Sequence, residues 1–219
     1  MTQRKKTALF FNFIFLLTVI SNSSHAQLSD VNSKAPNTRF FNPNIYSILQ
    51  IQNKTDPEIT SIFWIYTKKL YFEAHYNYEE RRTFSLSIGK SFKLGKKKEL
   101  EIIPMLGGGI GQFNGILPSL SLVYEGQNIR GSSQSQYLIT LEKYKINQFS
   151  NWTQIGHKIY KKVFLGVSDI ITIPNNGTIN NLFSPAISIK TRKFIFEGYA
   201  YNFWDNPLWA IGMQYNFTR

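Results

Sequence analysis

The chain has 219 residues, no cysteine, a formal charge of +12, and contains 16% aromatic but only 17% charged residues. Without cysteine there is no disulfide framework and no lipid-anchored cysteine. The charged fraction lies below the ~25% usual for soluble domains. Beyond the N-terminal region no run approaches ~18 unbroken apolar residues, so a spanning helix is not expected there.

The N-terminus carries Arg4, Lys5 and Lys6, then a 13-residue apolar core from Ala8 to Ile20, then the small polar stretch Ser21 to Ala26. This order is that of a secretory leader, and the core is short of the ~20 residues a spanning helix needs. Residues 1–26 are therefore expected to be a cleaved signal peptide. Residues 27–42, polar and interrupted by Pro36, are expected to be a flexible periplasmic lead-in. Residues 43–219 are expected to form one domain.

Within that domain strand and turn signals alternate. Strands are predicted over 44–52, 59–66, 70–78, 83–94, 99–106, 115–124, 129–141, 147–160, 163–173, 182–189, 194–203 and 207–217. Most have the length of the ~9–11 residues that a tilted strand needs to cross a bilayer. Lysine- and glycine-bearing turns at 67–69, 95–98, 125–128, 161–162 and 190–193 recur at the interval of two strands and two connections, and these are the expected periplasmic turns. The outer connections are expected near 53–58, 79–82, 107–114, 143–146, 174–181 and 204–206. About twelve antiparallel strands is an even number, as closure with both ends on one side requires. Ten is the alternative, because the first and seventh strands are the weakest.

Alternation sets the facing. In the third strand Phe72, Ala74, Tyr76 and Tyr78 are predicted outward, with Glu73, His75 and Asn77 inward. In the fourth, Phe84, Leu86, Ile88 and Phe92 point out, while Thr83, Ser85, Ser87, Gly89 and Ser91 point in. Lys90 lies on the outward face near a strand end, where it can snorkel to head groups. The last strand places Trp209, Ile211, Met213, Tyr215 and Phe217 on one face, with Ala210, Gly212, Gln214 and Asn216 on the other. A soluble sandwich also alternates, but it turns Lys, Glu and Thr to solvent rather than Phe, Trp and Tyr. The expected fold class is thus all-β, a transmembrane antiparallel barrel in the cell outer membrane.

Few residues carry chemistry. Downstream of residue 26 the only histidines are His75 and His157. His75 shares a face with Glu73 and Asn77, and side chains at i and i+2 stand roughly 7 Å apart, near enough for a polar network. Ser85 and Ser87 on the next strand can face them. We take Glu73, His75, Asn77, Ser85 and Ser87 as the candidate pore lining. His157 receives no role. Glu73, Glu79, Glu80, Arg81 and Arg82 form the densest charge cluster, and an inward Glu meeting Arg across the lumen is the usual way to plug a narrow barrel. Gly107 to Gly109 with Gly111 is followed by no Lys-Ser or Lys-Thr and so is not a phosphate loop. Neither a catalytic residue, a metal site nor a cofactor is predicted. The basic residues sit in turns rather than on one helix face, which argues against nucleic acid. Expected partners are outer-membrane lipid and lipopolysaccharide, the barrel-assembly machinery, and unidentified subunits of an envelope complex.

The segment Glu73 to Glu79 (EAHYNYE), followed by Ser85 to Phe92 (SLSIGKSF), resembles a motif of uncharacterised outer-membrane β-barrel proteins of the Bacteroidota. The likeness continues through 103–115 (IPMLGGGIGQFNG), 149–154 (FSNWTQ) and 198–217. It implies a Gram-negative outer-membrane barrel and transfers no catalytic residue, because the family carries no established activity. Two departures stand out. His75 occupies a position where arginine is expected, which weakens the anticipated salt bridge to Glu73. Thr218 and Arg219 follow the terminal aromatic. The leading expectation is a non-enzymatic narrow or plugged pore, or a structural envelope component. The alternatives are a lipid-modifying hydrolase or acyltransferase with His75 as base, and an adhesion or scaffold subunit.

Overall fold

A computed structural model describes residues 42–52, 57–95, 97, 99–204 and 206–217. The expected signal peptide and nearly all of the lead-in lie outside these residues. The strands are β1 (Asn42–Gln52), β2 (Glu58–Tyr66), β3 (Tyr71–Tyr76), β4 (Phe84–Gly89), β5 (Phe92–Leu94), β6 (Leu100–Ile110), β7 (Gly115–Glu125), β8 (Ile129–Thr140), β9 (Gln148–Tyr160), β10 (Val163–Pro174), β11 (Asn180–Lys190), β12 (Phe194–Tyr201) and β13 (Leu208–Asn216). Every strand pairs antiparallel with its neighbours.

The sheet closes on itself. The first and last strands join through Asn44↔Asn216 to Gln52↔Leu208, and β4 pairs with β6 through Phe84↔Ile110 to Gly89↔Met105. Strands β4 and β5 occupy one position in the wall, since β5 continues on β6 in the same register after an interruption at Lys90 and Ser91. The wall therefore has twelve positions, the even number expected. Closure pairs the wall all round, with β5 at the rim paired to β6 alone, as an apolar solvent requires because it cannot hydrogen-bond a free edge.

Alternation sorts the side chains as the pattern predicts. Phe84, Leu86 and Ile88 are 49%, 55% and 46% exposed, whereas Ser85 and Ser87 between them are 1% and 5% exposed. Trp209, Ile211 and Met213 of β13 are likewise exposed, and Ala210 is buried. Lys90 is exposed with its ammonium 5.3 Å from the Phe92 ring centre. An apolar, aromatic-rich exterior around a polar interior is the inverse of a soluble domain.

Three sequence-based boundaries shift. Strand β3 ends at Tyr76, because Asn77 takes φ +58, a left-handed conformation that asparagine tolerates better than most residues. Asn77 is thus in a turn, not on the inward face of a strand, and Tyr78 turns inward, not outward. Strand β6 runs on to Ile110, so residues 107–110 belong to the wall and not to an outer connection. The absence of a side chain at Gly107 permits this, since a Cβ there would lie 2.1 Å from Ser87 Oγ and 2.6 Å from the Leu86 carbonyl oxygen. The fourth strand is interrupted rather than continuous.

Candidate functional site: a lumen with a plug

The end of the barrel that carries Asn44 and Asn216 is called the terminal end here, and the opposite end the loop end. A cavity of about 1670 Å³ occupies the lumen on the terminal side. Its mouth is lined by Lys68, Lys97 and Lys190, and it ends on Tyr46, Trp152 and Tyr199; among the described residues none of the loop-end connections lines it.

Its floor is built from rings on three strands and one connection. Tyr46 of β1, Trp152 of β9, and Tyr199 and Tyr201 of β12 converge with Tyr78 from the β3–β4 connection. Ring centres lie 5.9 Å apart for Tyr46 and Trp152, 6.1 Å for Tyr78 and Trp152, and 5.6 Å for Tyr199 and Tyr201. The polar tips of Trp152, Tyr199 and Tyr201 are satisfied, as buried tyrosine and tryptophan require. The Trp152 indole N–H donates to Ser168 Oγ at 2.9 Å, and the Tyr201 hydroxyl lies 3.0 Å from the same oxygen. The Tyr199 hydroxyl lies 2.7 Å from Gln154 Oε1 and 2.6 Å from Glu197 Oε2. Arg130 of β8 completes this side, 3.0 Å from Glu197 Oε1 and with its guanidinium 4.6 Å from the Phe164 ring centre.

Beside the rings lies a charged network. His75 Nε2 is 2.7 Å from Glu73 Oε1, and its Nδ1 is 2.7 Å from Glu79 Oε1. Both nitrogens donate at once only in the doubly protonated ring. Glu73 also accepts from the Tyr71 hydroxyl, and from Gln134 Nε2 across the lumen at 2.7 Å. Glu79 accepts from Ser85 Oγ at 2.7 Å, whereas its Oε2 is buried without a partner. The doubly protonated ring pairs with Glu73 and makes a second contact to Glu79.

Of the candidate lining residues, Glu73 reaches the cavity wall. His75, 3% exposed, and Ser85 are packed inside the network, and Ser87 lies against Gly107. Asn77 stays out of it: its amide donates to the Ile59 carbonyl and its Oδ1 accepts from the Arg82 N–H. Histidine at position 75, in place of the anticipated arginine, does contact Glu73. Arg81 pairs with Glu58 at the loop end, so the inward arginine that meets a glutamate is Arg130. Sequence reasoning missed the aromatic floor, because only closure of the barrel brings Tyr46, Trp152 and Tyr199 together. Glu79 entered the analysis only as part of a charge cluster, because its entry into the lumen follows from the turn at Asn77. Among the described residues no group of three or more acidic or histidine side chains is placed to hold a metal ion.

No protein-family model matches the chain, and no curated protein does. Solved structures do match. The KdgM porin in complex with disordered oligogalacturonate superposes with a TM-score of 0.55 at 12% identity, over 80% of this chain and 99% of that one. A second KdgM porin structure gives a TM-score of 0.52 at 12% identity over the same shares. The NanC porin gives 0.51 at 7% identity, over 81% of this chain and 100% of that one. At these identities the likeness defines architecture. The chain has the porin-like, closed, twelve-stranded antiparallel fold of outer-membrane β-barrels.

Proposed function

We propose that the protein is an outer-membrane barrel without enzymatic activity, a pore whose lumen is plugged at mid-height and opens as a vestibule at the terminal end. The apolar exterior supports membrane residence, since hydrocarbon accepts exposed Phe, Leu and Ile at no cost and water does not. The observation that carries the plug is the cavity's ending on Tyr46, Trp152 and Tyr199 beside the Glu73–His75–Glu79 network. A solute passing through must displace that packed, hydrogen-bonded set.

The hydrolase reading has geometry against it. A histidine base needs one ring nitrogen free to take a proton from a nucleophile. Both nitrogens of His75 face carboxylates, and the Ser85 hydroxyl donates to Glu79. The network is also enclosed by the wall, away from acyl chains.

Planar-bilayer recording of the refolded protein tests the proposal. The wild type is expected to show small conductance. The Trp152→Ala, Tyr199→Ala double variant is expected to conduct more, and Glu73→Gln in that background to lower its cation preference. Wild-type conductance equal to that of the double variant would refute the plug. Lipid turnover by the wild type that is lost in His75→Ala would refute the non-enzymatic reading.

A further inference from the structure

Charge is distributed unequally between the two ends of the barrel. At the loop end cations are interleaved with carboxylates, as Arg81 pairs with Glu58 at 2.9 Å and Lys145 with Glu80 at 3.1 Å. At the terminal end two neighbouring turns carry cations and no carboxylate. Lys161 and Lys162 form the β9–β10 turn, Arg192 and Lys193 lie in the β11–β12 turn, and all four are exposed. Among the described residues none of the four pairs with a carboxylate. The carboxylates of this sector are engaged elsewhere, Glu125 with Lys190 at 3.1 Å and the inward Glu197 with Arg130 at 3.0 Å.

Backbone bonds hold the cations in place. The Lys190 N–H donates to the Lys162 carbonyl at 2.9 Å, which joins the two turns, and the Lys193 carbonyl accepts from the Asn216 N–H at 2.9 Å. Thr191 fixes its own turn, since its hydroxyl donates to the Phe194 carbonyl and accepts from the Phe194 N–H, each at 3.0 Å. Four like charges on two joined turns repel one another, and an anion placed among them relieves that.

Below the turns the outward face is apolar. Ile189 stands opposite Phe196, and Ile187 opposite Leu165; all four side chains are exposed. Phe194 stacks on Phe196 with ring centres 5.8 Å apart and meets Tyr215 at 4.9 Å. Rings thus follow directly on the cations, and aromatic side chains of this kind settle at the level of the head groups.

We propose that these two turns and the apolar rows beneath them are a binding site for a lipid with an anionic, phosphate-bearing head group. It rests on the membrane residence proposed above. The phosphate meets the cations while the acyl chains lie along Leu165, Ile187 and Ile189. A water-soluble anion gains only the first of these contacts. A zwitterionic lipid brings its own ammonium to the cations and gains less from them.

The absence of native cysteine allows a direct test. Ile189 and Phe183 lie towards opposite ends of β11 and are similarly exposed at 44% and 43%. Each is replaced by cysteine, labelled with a fluorophore, and the barrel is refolded into phosphatidylcholine nanodiscs. A minor fraction of nitroxide-labelled phosphatidylglycerol or nitroxide-labelled phosphatidylcholine serves as quencher. At Ile189→Cys the anionic lipid is expected to be enriched about fivefold or more over the zwitterionic one, the scale of one cation at a membrane surface. At Phe183→Cys the two lipids are expected to quench alike. Replacing Lys161, Lys162, Arg192 and Lys193 together by glutamine is expected to abolish the enrichment and leave quenching by phosphatidylcholine unchanged. Equal quenching by both lipids at Ile189→Cys, or enrichment that survives the fourfold replacement, would overturn the site while leaving membrane residence intact. Quenching by neither lipid at either position would refute membrane residence itself and the site with it. The comparison of lipids at Ile189→Cys keeps its force even if the fourfold variant fails to fold.

Discussion

Replacing His75 by leucine removes the one cation between two buried carboxylates. The leucine roughly fills the volume of the imidazole, so the packing change is small and the electrostatic change dominates. Removing one partner of a buried ion pair costs about 3–5 kcal/mol, mostly through the charge left behind. The two glutamates do not share that loss equally. Glu73 keeps Tyr71 and Gln134 as donors, whereas Glu79 keeps only Ser85, and its second oxygen already has no partner. Glu79→Gln in the His75→Leu background is therefore expected to restore more stability than Glu73→Gln does. Urea unfolding in lipid vesicles, followed by tryptophan fluorescence and extrapolated linearly to zero denaturant, measures all of these variants. Against total stabilities of roughly 5–15 kcal/mol the loss is large. A His75→Leu variant within about 1 kcal/mol of the wild type, below the range for a broken buried pair, would refute the reasoning. So would a larger rescue by Glu73→Gln, since it would show that the donors counted here do not set the cost.

Two further substitutions test the facing of the wall. Gly107→Val drives a side chain into Ser87 and the Leu86 carbonyl, and is expected to cost about 1–3 kcal/mol as overpacking. Gly108→Ala, whose Cβ would meet only the Gly115 carbonyl oxygen at 3.3 Å, is expected to be nearly neutral, and the melting of the compact electrophoretic form compares the two. Leu106, 58% exposed on β6, is assigned to hydrocarbon, so Leu106→Arg is expected to lose about 2–4 kcal/mol and Leu106→Phe almost nothing in the same vesicle assay.

Most of the wall was legible because a strand's facing is a local property. Each of Phe84, Leu86 and Ile88 is flanked by a serine or glycine, and that pattern specifies sides without reference to any other strand. The boundaries that moved depend on facts the pattern does not contain. Nothing in the run of alternating residues through Tyr78 announces that Asn77 will adopt positive φ. Likewise the glycines at 107–109 read as a loop until the Ser87 side chain is seen to need the space.

The lumen and the facing of β9 were hidden for different reasons. Glu73 and His75 are close in the chain, so their association could be anticipated, although the spacing suggested a looser network than the direct contact observed. Gln134 joins Glu73 from 61 residues away, and Tyr46 and Tyr199 meet across 153. Such pairs exist only once the ring of strands has closed, and no linear pattern encodes the curvature that selects them. The facing of β9 is different again, since Asn151 and Thr153 are as local as Phe84 and Leu86. What concealed them is that β9 mixes aromatic, polar and glycine residues on both faces, so alternation alone could not say which side was which. Trp152 settles it: once its indole is placed among Tyr46, Tyr78 and Tyr199, its neighbours must face away from the lumen. Trp152 of β9 thus fixes both the floor of the lumen and the outward parity of Asn151 and Thr153.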